Sequence, residues 1–406
     1  DAINGIQLLS LASSTMYPKV GGSEGKAATR VSPGEDAELF PVFGAVPQDA
    51  GTVEAFLPNF GVVAGIPVAG EAEAGFDVAG ALSDADPDTG KAGPYSIGSA
   101  TFVADGSSDT RKDSTSTTVT VSGDVTFASD SAELSGQADA VLASAVEQIK
   151  RFPSGGGLAI TGHTDDVADD AYNQTLSEKR AQAVSDRLGQ LTPLSAWTVQ
   201  TTGKGETEPR AQGTDDAARA ANRRVEIVIT PTGGTKPDAP QTPGEGDVPQ
   251  ATGPSAKGAD GVSVSGGADD PGVTIVLDKV TRRGGLLFGE FVVSGNGQDL
   301  KFLPTYFRDS AGFGLNNARG ELGGVSSIVA ASGVTLISGG NYVFPVDYLP
   351  AGADSHRPLA DLNLISLSGA GRSTRICMAW PDTGEKTVIV DRPADSKYVP
   401  VPWRLT

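Results

Sequence analysis

The spacing of apolar residues alternates between two periods along residues 119–230, and this alternation restricts the possible folds more than any other feature. Val119, Val121, Val125 and Phe127 alternate with polar residues, as in a strand. Helical spacing follows in "LSGQADAVLASAVEQIKRF", and two further strand–helix pairs lead to a last strand, "RVEIVIT". The pattern predicts the order β-α-β-α-β-α-β, an α+β sandwich with its helices on one face of a four-stranded sheet.

The second predicted helix carries an arginine on its apolar side. Apolar residues recur at helical spacing from Leu176 onward, and Thr175 with Glu178 forms a capping box near the helix start. Arg180 lies four residues after Leu176 and four before Val184, so it falls on or beside the apolar stripe. Because an unpaired desolvated charge is costly, Arg180 is expected to have a partner or a ligand.

Two polar stretches divide the chain into three predicted globular units. Residues 231–271 hold 16 Gly or Pro in 41 positions and no aromatic residue, a composition typical of a flexible linker. Residues 105–118, "DGSSDTRKDSTSTT", form a second predicted linker. The predicted units are therefore residues 1–104, 119–230 and 272–406.

The two outer units resemble each other in sequence. Residues 5–20 align with 333–348, residues 31–56 align with 367–390, and each copy ends in a proline-flanked strand. Alternating strands between Gly/Pro turns predict an Ig-like β-sandwich for each outer unit. Only the second copy is preceded by the strands "VTIVLDKV" and "LFGEFVVSG", so we expect the first unit to lack its first strands.

Charge and composition exclude several classes of function. The net charge of -19 repels nucleic acid and anionic membrane surfaces, so neither is expected as a partner. Cys377 is the only cysteine, which excludes an internal disulfide, and two histidines argue against a histidine-rich metal site. No nucleophile–base pair, paired catalytic carboxylates or metal triad is legible, so neither an enzyme nor a cofactor is predicted.

Four motifs resemble the OmpA-like C-terminal domain family. They are "VTFASDSAEL" at 125–134, "GHTDD" at 162–166, "NQTLSEKRAQAV" at 173–184 and "ANRRVEI" at 221–227. They stand in the order and at the spacing of that family and cover about a quarter of the chain. The resemblance implies an OmpA-like fold for the central unit and non-covalent binding of peptidoglycan.

The resemblance also implies which residues bind the wall. Asp165 of the "GHTD" turn would take the ammonium of diaminopimelate, the residue of the peptide stem that the family binds. Arg180 of "LSEKRA" would take the carboxylate of the same carbon, in bidentate geometry. The other candidate ligand-binding residues are Asn173, Leu176, Thr164 and Phe127.

Less specific roles are also open for the charged residues of this region. Asp165 and Arg180 could pair with each other as a structural ion pair. Arg223 and Arg224 are expected to be scaffold, one bracing the helix–sheet junction and the other facing water. His163 is expected at a strand end on the rim of the pocket.

For the whole chain, these observations predict a non-catalytic peptidoglycan-binding protein whose central unit tethers the outer units to the wall. Its expected place is outside the cytoplasm, in the cell envelope or cell wall, as a secreted or lipid-anchored protein. The alternative is an accessory subunit whose β-sandwiches dock onto a membrane or envelope protein complex.

Overall fold

The structure is a computed structural model. Its described residues form several β-sheets, and helices cover one face of the sheet in the central unit. The residues that it describes are 5–21, 40–47, 49–57, 59–70, 73–128, 130–235, 247–266, 270–297, 299–300, 302–309, 315, 319–321, 330–360, 364, 372–394 and 401–406.

The first strands form an antiparallel sheet in the order β3-β2-β1-β4-β5, with β6 paired to β2. One side of this sheet buries Leu9, Met16 and Phe56. Helix α1 follows β5, and Asp77 caps its N-terminus by accepting a hydrogen bond from the Gly80 amide at 3.0 Å. The elements are β1 (Gln7–Ser10), β2 (Thr15–Gly21), β3 (Val42–Phe43), β4 (Thr52–Leu57), β5 (Gly61–Pro67), α1 (Val78–Ala85), a 3₁₀ helix (Thr89–Lys91) and β6 (Tyr95–Ser96).

A β-hairpin occupies much of the first predicted linker. Strand β7 (Ser99–Val103) pairs with β8 (Ser108–Lys112), and β8 pairs in turn with β9 (Thr117–Ser122), both antiparallel. The prediction of a linker over residues 105–118 is therefore wrong. Several of its polar side chains are not solvated, because residues such as Asp109 and Lys112 are buried within the assembled sheet.

The central unit has the predicted architecture. Its strands lie in the order β11-β10-β12-β9, with β10 and β11 parallel and the other two pairs antiparallel. Helices α3 and α4 cover one face through a core that includes Leu142, Val184 and Leu188. The elements after β9 are α2 (Gly123–Thr126), α3 (Ala138–Lys150), β10 (Gly156–Gly162), α4 (Asp170–Leu191), β11 (Trp197–Gly203), α5 (Asp216–Asn222) and β12 (Arg224–Pro231).

Two local features differ from the predicted pattern. The first strand ends at Ser122, and the short helix α2 turns the chain before Phe127. Helix α4 begins at Asp170, because the side chain of Asp169 caps it by accepting from the Tyr172 amide at 3.0 Å. The predicted capping box at Thr175 therefore lies inside the helix and not at its start.

The C-terminal strands belong to two larger sheets and a short pair, β19–β20. Strands β14-β15-β16-β21 form a four-stranded antiparallel sheet, and β18-β17-β22-β23-β13 continue the sheet of the central unit. The elements are β13 (Ser255–Ala256), β14 (Val262–Val264), β15 (Val273–Arg283), β16 (Leu286–Gly295), α6 (Pro304–Phe307), β17 (Thr335–Ser338), β18 (Asn341–Val343), β19 (Asp347–Tyr348), β20 (Arg357–Pro358), β21 (Ser373–Pro381), β22 (Ile389–Arg392) and β23 (Trp403–Leu405).

Strands β13 and β14 lie inside residues 231–271, the second predicted linker. Strand β13 pairs with β23, and β14 pairs with β15. The prediction of a continuous flexible linker is therefore wrong for these residues, since long-range pairing orders segments whose composition is poor in apolar residues. Residues 236–246 and 267–269 lie outside the described residues.

The two copies of the internal repeat have the same strand topology. In the first copy the order β2-β1-β4-β5 is antiparallel throughout, and in the second copy β18-β17-β22-β23 repeats that order and sense. Parts of the aligned segments, including residues 22–39 and 395–400, lie outside the described residues. The Ig-like assignment of each copy stays a prediction.

The outer units are not structurally separate from each other or from the central unit. Hairpin β7–β8 joins β9 to β18, so that one sheet of eleven strands runs from the central unit into the second repeat. The four-stranded sheet packs on both faces: Leu287 and Phe291 face the C-terminal core, while Phe288 packs with Leu9 and Met16 of the first repeat. The predicted division into independent units is thus replaced by shared sheets and cores.

Candidate functional site

The candidate site lies where β10 ends and α4 begins. Residues 163–169 connect the two elements, and α4 packs closely against the end of β10. A methyl group placed on Gly162 would lie 2.1 Å from the Ser177 carbonyl oxygen, so only glycine permits this approach. The "GHTD" turn is thereby held against the helix that carries Asn173 and Arg180.

Arg180 is the most constrained charge of the site. It is 5% exposed, its Nε donates to the Ser131 carbonyl at 2.9 Å, and its Cζ lies 5.1 Å from the centre of the Phe127 ring. Burial lowers the pKa of Arg180, whereas the carboxylates of Asp124 and Asp130 act in the opposite direction. The guanidinium stays charged, and within the described residues it makes no ion pair with a carboxylate.

Asp165 is paired with Arg223 and not with Arg180. Nη1 of Arg223 lies 2.6 Å from Oδ2 of Asp165, while Nε and Nη2 of the same guanidinium contact Asp124 at 2.6 and 2.7 Å. The side-chain bonds with Asp124 and Asp165 raise the pKa of Arg223. A direct structural ion pair between Asp165 and Arg180 is thus absent from the described contacts.

The other predicted residues surround these two groups in different ways. The Asn173 amide donates to the carbonyls of Asp165 and Ala168 at 3.1 and 3.2 Å and to Glu206 Oε2 at 2.6 Å, so it braces the turn. Thr164 is buried, and its Oγ1 has no hydrogen-bond partner in the described part of the chain. Leu176 is half-buried on α4. Their contact with a ligand stays a prediction.

Sequence reasoning missed the partners of Arg223 and two further groups of this region. Arg223, expected to be scaffold, bridges Asp165 and Asp124. Tyr172 and Asp130 also face the site, since the Tyr172 hydroxyl donates to Asp130 at 2.9 Å. The "NRR" motif pointed to Arg223, but periodicity could not reveal its partners because they are distant in sequence. Arg224, the other predicted scaffold arginine, is buried and bonds to Glu226 at 2.8 Å.

A cavity of about 250 Å³ adjoins Asp165 on a side that Arg180 does not line. The loop of residues 204–214, here called the cavity loop, forms much of its wall. Its lining residues are Thr164, Asp165, Asp166, Glu206, Pro209, Ala211, Gln212, Gly213, Thr214 and Asn222. The space between Asp165 and Arg180 is therefore distinct from this cavity.

His163 does not form a catalytic pair. It is 2% exposed, and neither ring nitrogen has a hydrogen-bond partner in the described part of the chain. Burial lowers the pKa of His163 to about 4, assisted by the positive charge of Arg224. The ring is therefore neutral at pH 7 and is buried behind the turn instead of lying on the pocket rim.

Other chemistry is not visible in the described residues. They contain no group of three His, Cys, Asp or Glu side chains placed to hold a metal ion. None of their helices combines the length and the apolar character needed to cross a membrane.

The site contains a cation and an anion, Arg180 and Asp165, which are the two charges that binding of a small zwitterion requires. A fixed guanidinium backed by an aromatic ring can bind a carboxylate through its free donors. The anchored Asp165 carboxylate can accept an ammonium group nearby. Since both groups are held by neighbouring elements before any ligand arrives, little ordering would be needed on binding.

Comparison with known proteins places this site in a family. The OmpA family model matches residues 126–223. Outer membrane porin F of Pseudomonas aeruginosa is 38% identical over 106 residues, which are 26% of this chain and 30% of that protein. The chain spans less than half of the length of the curated relatives that it matches.

Two solved structures are similar to part of the chain. The cell wall anchor of the T6SS from Pseudomonas aeruginosa is 33% identical, with 29% of this chain and 83% of that chain covered and a TM-score of 0.25. The peptidoglycan-associated lipoprotein from Burkholderia pseudomallei is also 33% identical, with 26% and 88% covered and a TM-score of 0.24.

Proposed function

Since residues 126–223 form a domain of the OmpA family within a bacterial cell-envelope protein, we propose that this chain binds peptidoglycan non-covalently through the diaminopimelate of the peptide stem. Arg180 supports this proposal most directly: its buried guanidinium has no carboxylate partner in the described residues, although Asp165 lies in the same site. One carbon of diaminopimelate carries both a carboxylate and an ammonium group. Arg180 binds this carboxylate, and Asp165 binds the ammonium. The outer β-units are thereby tethered to the wall.

The first test is sedimentation of the full chain with purified sacculi of defined stem chemistry. We expect the chain to pellet with diaminopimelate-type sacculi and to pellet much less with lysine-type sacculi. Lysine has the ammonium but lacks the carboxylate, so Arg180 loses its partner. Failure to pellet with diaminopimelate-type sacculi contradicts the proposal. Release of soluble muropeptides during long incubation contradicts its non-catalytic part.

A second candidate function is docking of the outer β-units onto an envelope protein. Strand β5, "GVVAGIP", carries no charge and is the edge of its sheet within the described residues. Val63 on this strand is 48% exposed. In the second repeat the equivalent strand β23 is covered by β13, which pairs with it in parallel. We infer that an extended strand of a partner protein covers β5 in the same way.

This docking is tested by affinity purification from detergent-solubilised envelope membranes. We expect one stoichiometric partner to co-purify with the full chain and to be lost when Val63 is replaced by Lys, a charge that discourages strand addition. Retention of the partner by Val63→Lys, or absence of any stoichiometric partner, contradicts this candidate.

A further inference from the structure

The cavity loop is anchored on both sides, and one of its anchors reaches outside the OmpA domain. Near its start, the Gly205 amide donates to Ser177 Oγ at 2.9 Å and the Gly205 carbonyl accepts from the Thr164 amide at 2.9 Å. Near its end, Ala211 exchanges two hydrogen bonds with the side chain of Asn222 at 2.9 and 3.0 Å. These anchors all lie within the matched domain.

Arg210 supplies the external anchor. Its Nη1 lies 2.5 Å from Oδ2 of Asp109, which belongs to strand β8 of the bridging hairpin. The two side chains are only 12% and 4% exposed. The charge pair is therefore largely shielded from solvent, where its loss has a larger effect than that of a surface pair.

The C-terminal unit contacts the same pair through residues that precede the second repeat. A methyl group placed on Gly320 would lie 3.0 Å from Arg210 Cγ, so the arginine stem packs directly on this glycine. Next to it, Arg111 Nη1 donates to the Arg319 carbonyl at 2.8 Å. We call this set of contacts among Asp109, Arg111, Arg210, Arg319 and Gly320 the junction.

The cavity loop also leads back to the wall-binding residues. Glu206 on the loop accepts from the Asn173 amide at 2.6 Å, and the same amide donates to the Asp165 carbonyl at 3.1 Å. A displacement of the loop therefore reaches the turn that holds Asp165. The path from β8 to Asp165 consists of contacts between residues that are each in place before a ligand binds.

We propose that Arg210 is a positioning residue for the peptidoglycan site, through which the outer β-units control the affinity of the OmpA domain for the wall. The inference rests on the proposed function of the site. The junction holds the cavity loop in its binding-competent position, and a change at residues 319–320 of the C-terminal unit or in β8 is transmitted through Arg210. Binding of a partner to the outer β-units would then change the affinity of the OmpA domain for the wall.

Point variants of the full chain test this coupling. Isothermal titration with a diaminopimelate stem peptide should show Arg210→Met and Asp109→Asn binding about 2- to 30-fold more weakly than wild type. The double variant should be little weaker than Asp109→Asn alone, because both substitutions remove the Arg210–Asp109 pair, while Asp109→Asn also weakens the pair with Arg111 at 3.6 Å. Arg210→Lys should restore part of the affinity.

Arg187→Met is the control for loss of an arginine–aspartate pair away from the cavity loop. Arg187 bonds to Asp139 of the same domain at 2.6 and 2.5 Å, in a more exposed position than Arg210, and none of its described hydrogen bonds reaches the cavity loop. Its affinity for the stem peptide should equal that of wild type. A folded Arg210→Met protein that binds as tightly as Arg187→Met overturns the proposal.

Two further measurements cover the cases in which Arg210→Met does not fold or no stem peptide binds. Gly320→Ala disturbs Arg210 from the C-terminal unit and should also weaken binding, whereas unchanged affinity in this folded variant contradicts the coupling. Hydrogen exchange of the cavity-loop amides without ligand should be faster in Asp109→Asn than in Arg187→Met. Equal exchange rates in these two variants would show that Arg210 and Asp109 do not anchor the cavity loop. If wild type does not bind the stem peptide, only the proposed function is overturned.

Discussion

At the scale of single residues, the site depends on which charges are satisfied inside the protein. Asp165 has an internal cation in Arg223, whereas Arg180 has only a backbone carbonyl and an aromatic ring among its described contacts. Removing a charge that binds a ligand should therefore affect stability and binding differently, depending on whether it also has an internal partner.

Arg180→Met and Asp165→Asn should separate these two effects. Loss of one partner of a desolvated charge pair typically costs about 2–5 kcal/mol, which weakens stem-peptide binding roughly 30-fold to several thousandfold. Arg180→Met should keep the thermal stability close to wild type, because the unbranched apolar side chain of Met can still pack on Phe127. Titration calorimetry beside thermal melts gives both values. Unchanged affinity in folded variants would rule out these site residues.

His163 should make the stability depend on pH in a defined window. Its folded-state pKa of about 4 lies below the ordinary value of 6.5, because burial disfavours the charged ring. The neutral ring therefore contributes stability above pH 6.5, and this contribution is lost as the pH falls from 6.5 toward 4. The loss amounts to about 3 kcal/mol in the free energy of unfolding.

Urea denaturation of wild type and His163→Gln across this pH range checks the prediction. The glutamine variant cannot titrate there, so the difference between the two proteins should shrink or reverse as the pH falls. Parallel curves for both proteins from pH 7 to pH 4 would show that the buried ring does not govern acid sensitivity.

At the scale of elements, the contact of α4 with β10 depends on glycine. Gly162 and Gly203 both meet atoms of the Ser177–Glu178 region at distances that no Cβ could share. The helix that carries Arg180 is thereby seated close to the strand that leads to Asp165.

Gly162→Ala should displace this helix. The added methyl group would lie 2.1 Å from the Ser177 carbonyl oxygen, so the variant should lose about 1–3 kcal/mol of unfolding free energy, or more. Gly157→Ala on the same strand is the control, because its nearest neighbour would be 3.9 Å away. Chemical denaturation compares the two, and equal stability would contradict the role given to Gly162.

At the scale of the whole molecule, the bridging hairpin and the shared core join all three predicted units. The eleven-stranded sheet crosses from the central unit into the second repeat, and Phe288 packs with residues of the first repeat. The Gly/Pro-rich residues 231–271 therefore do not separate the central unit from the C-terminal strands, because one sheet connects them.

The described units should tumble together. NMR relaxation should give one rotational correlation time for amides of α4 in the OmpA domain and amides of β16 in the C-terminal sheet. The matched internal control is the pair of β10 and α4, which share one domain core. Two clearly different correlation times for α4 and β16 would contradict the continuous sheet.

The sequence alone determined the central domain and supplied its candidate binding residues. Its strands and helices follow local periodicity, which any segment carries by itself, and its four motifs lie within about 105 residues. The relation between the two outer units was also legible, since the two copies align with each other. Within the central domain the predicted boundaries of α4 and of the first strand were wrong, because capping by Asp169 and a short helix set them.

Only the tertiary structure decided how the units are joined and which charges meet. Strand β8 is polar in sequence and becomes a strand because β7 and β9 pair with it. Asp109 on this strand pairs with Arg210, which lies 101 positions later in the chain. Arg223 likewise meets Asp124 and Asp165 from far along the sequence. Such contacts depend on distances between remote residues, which local spacing and composition do not encode.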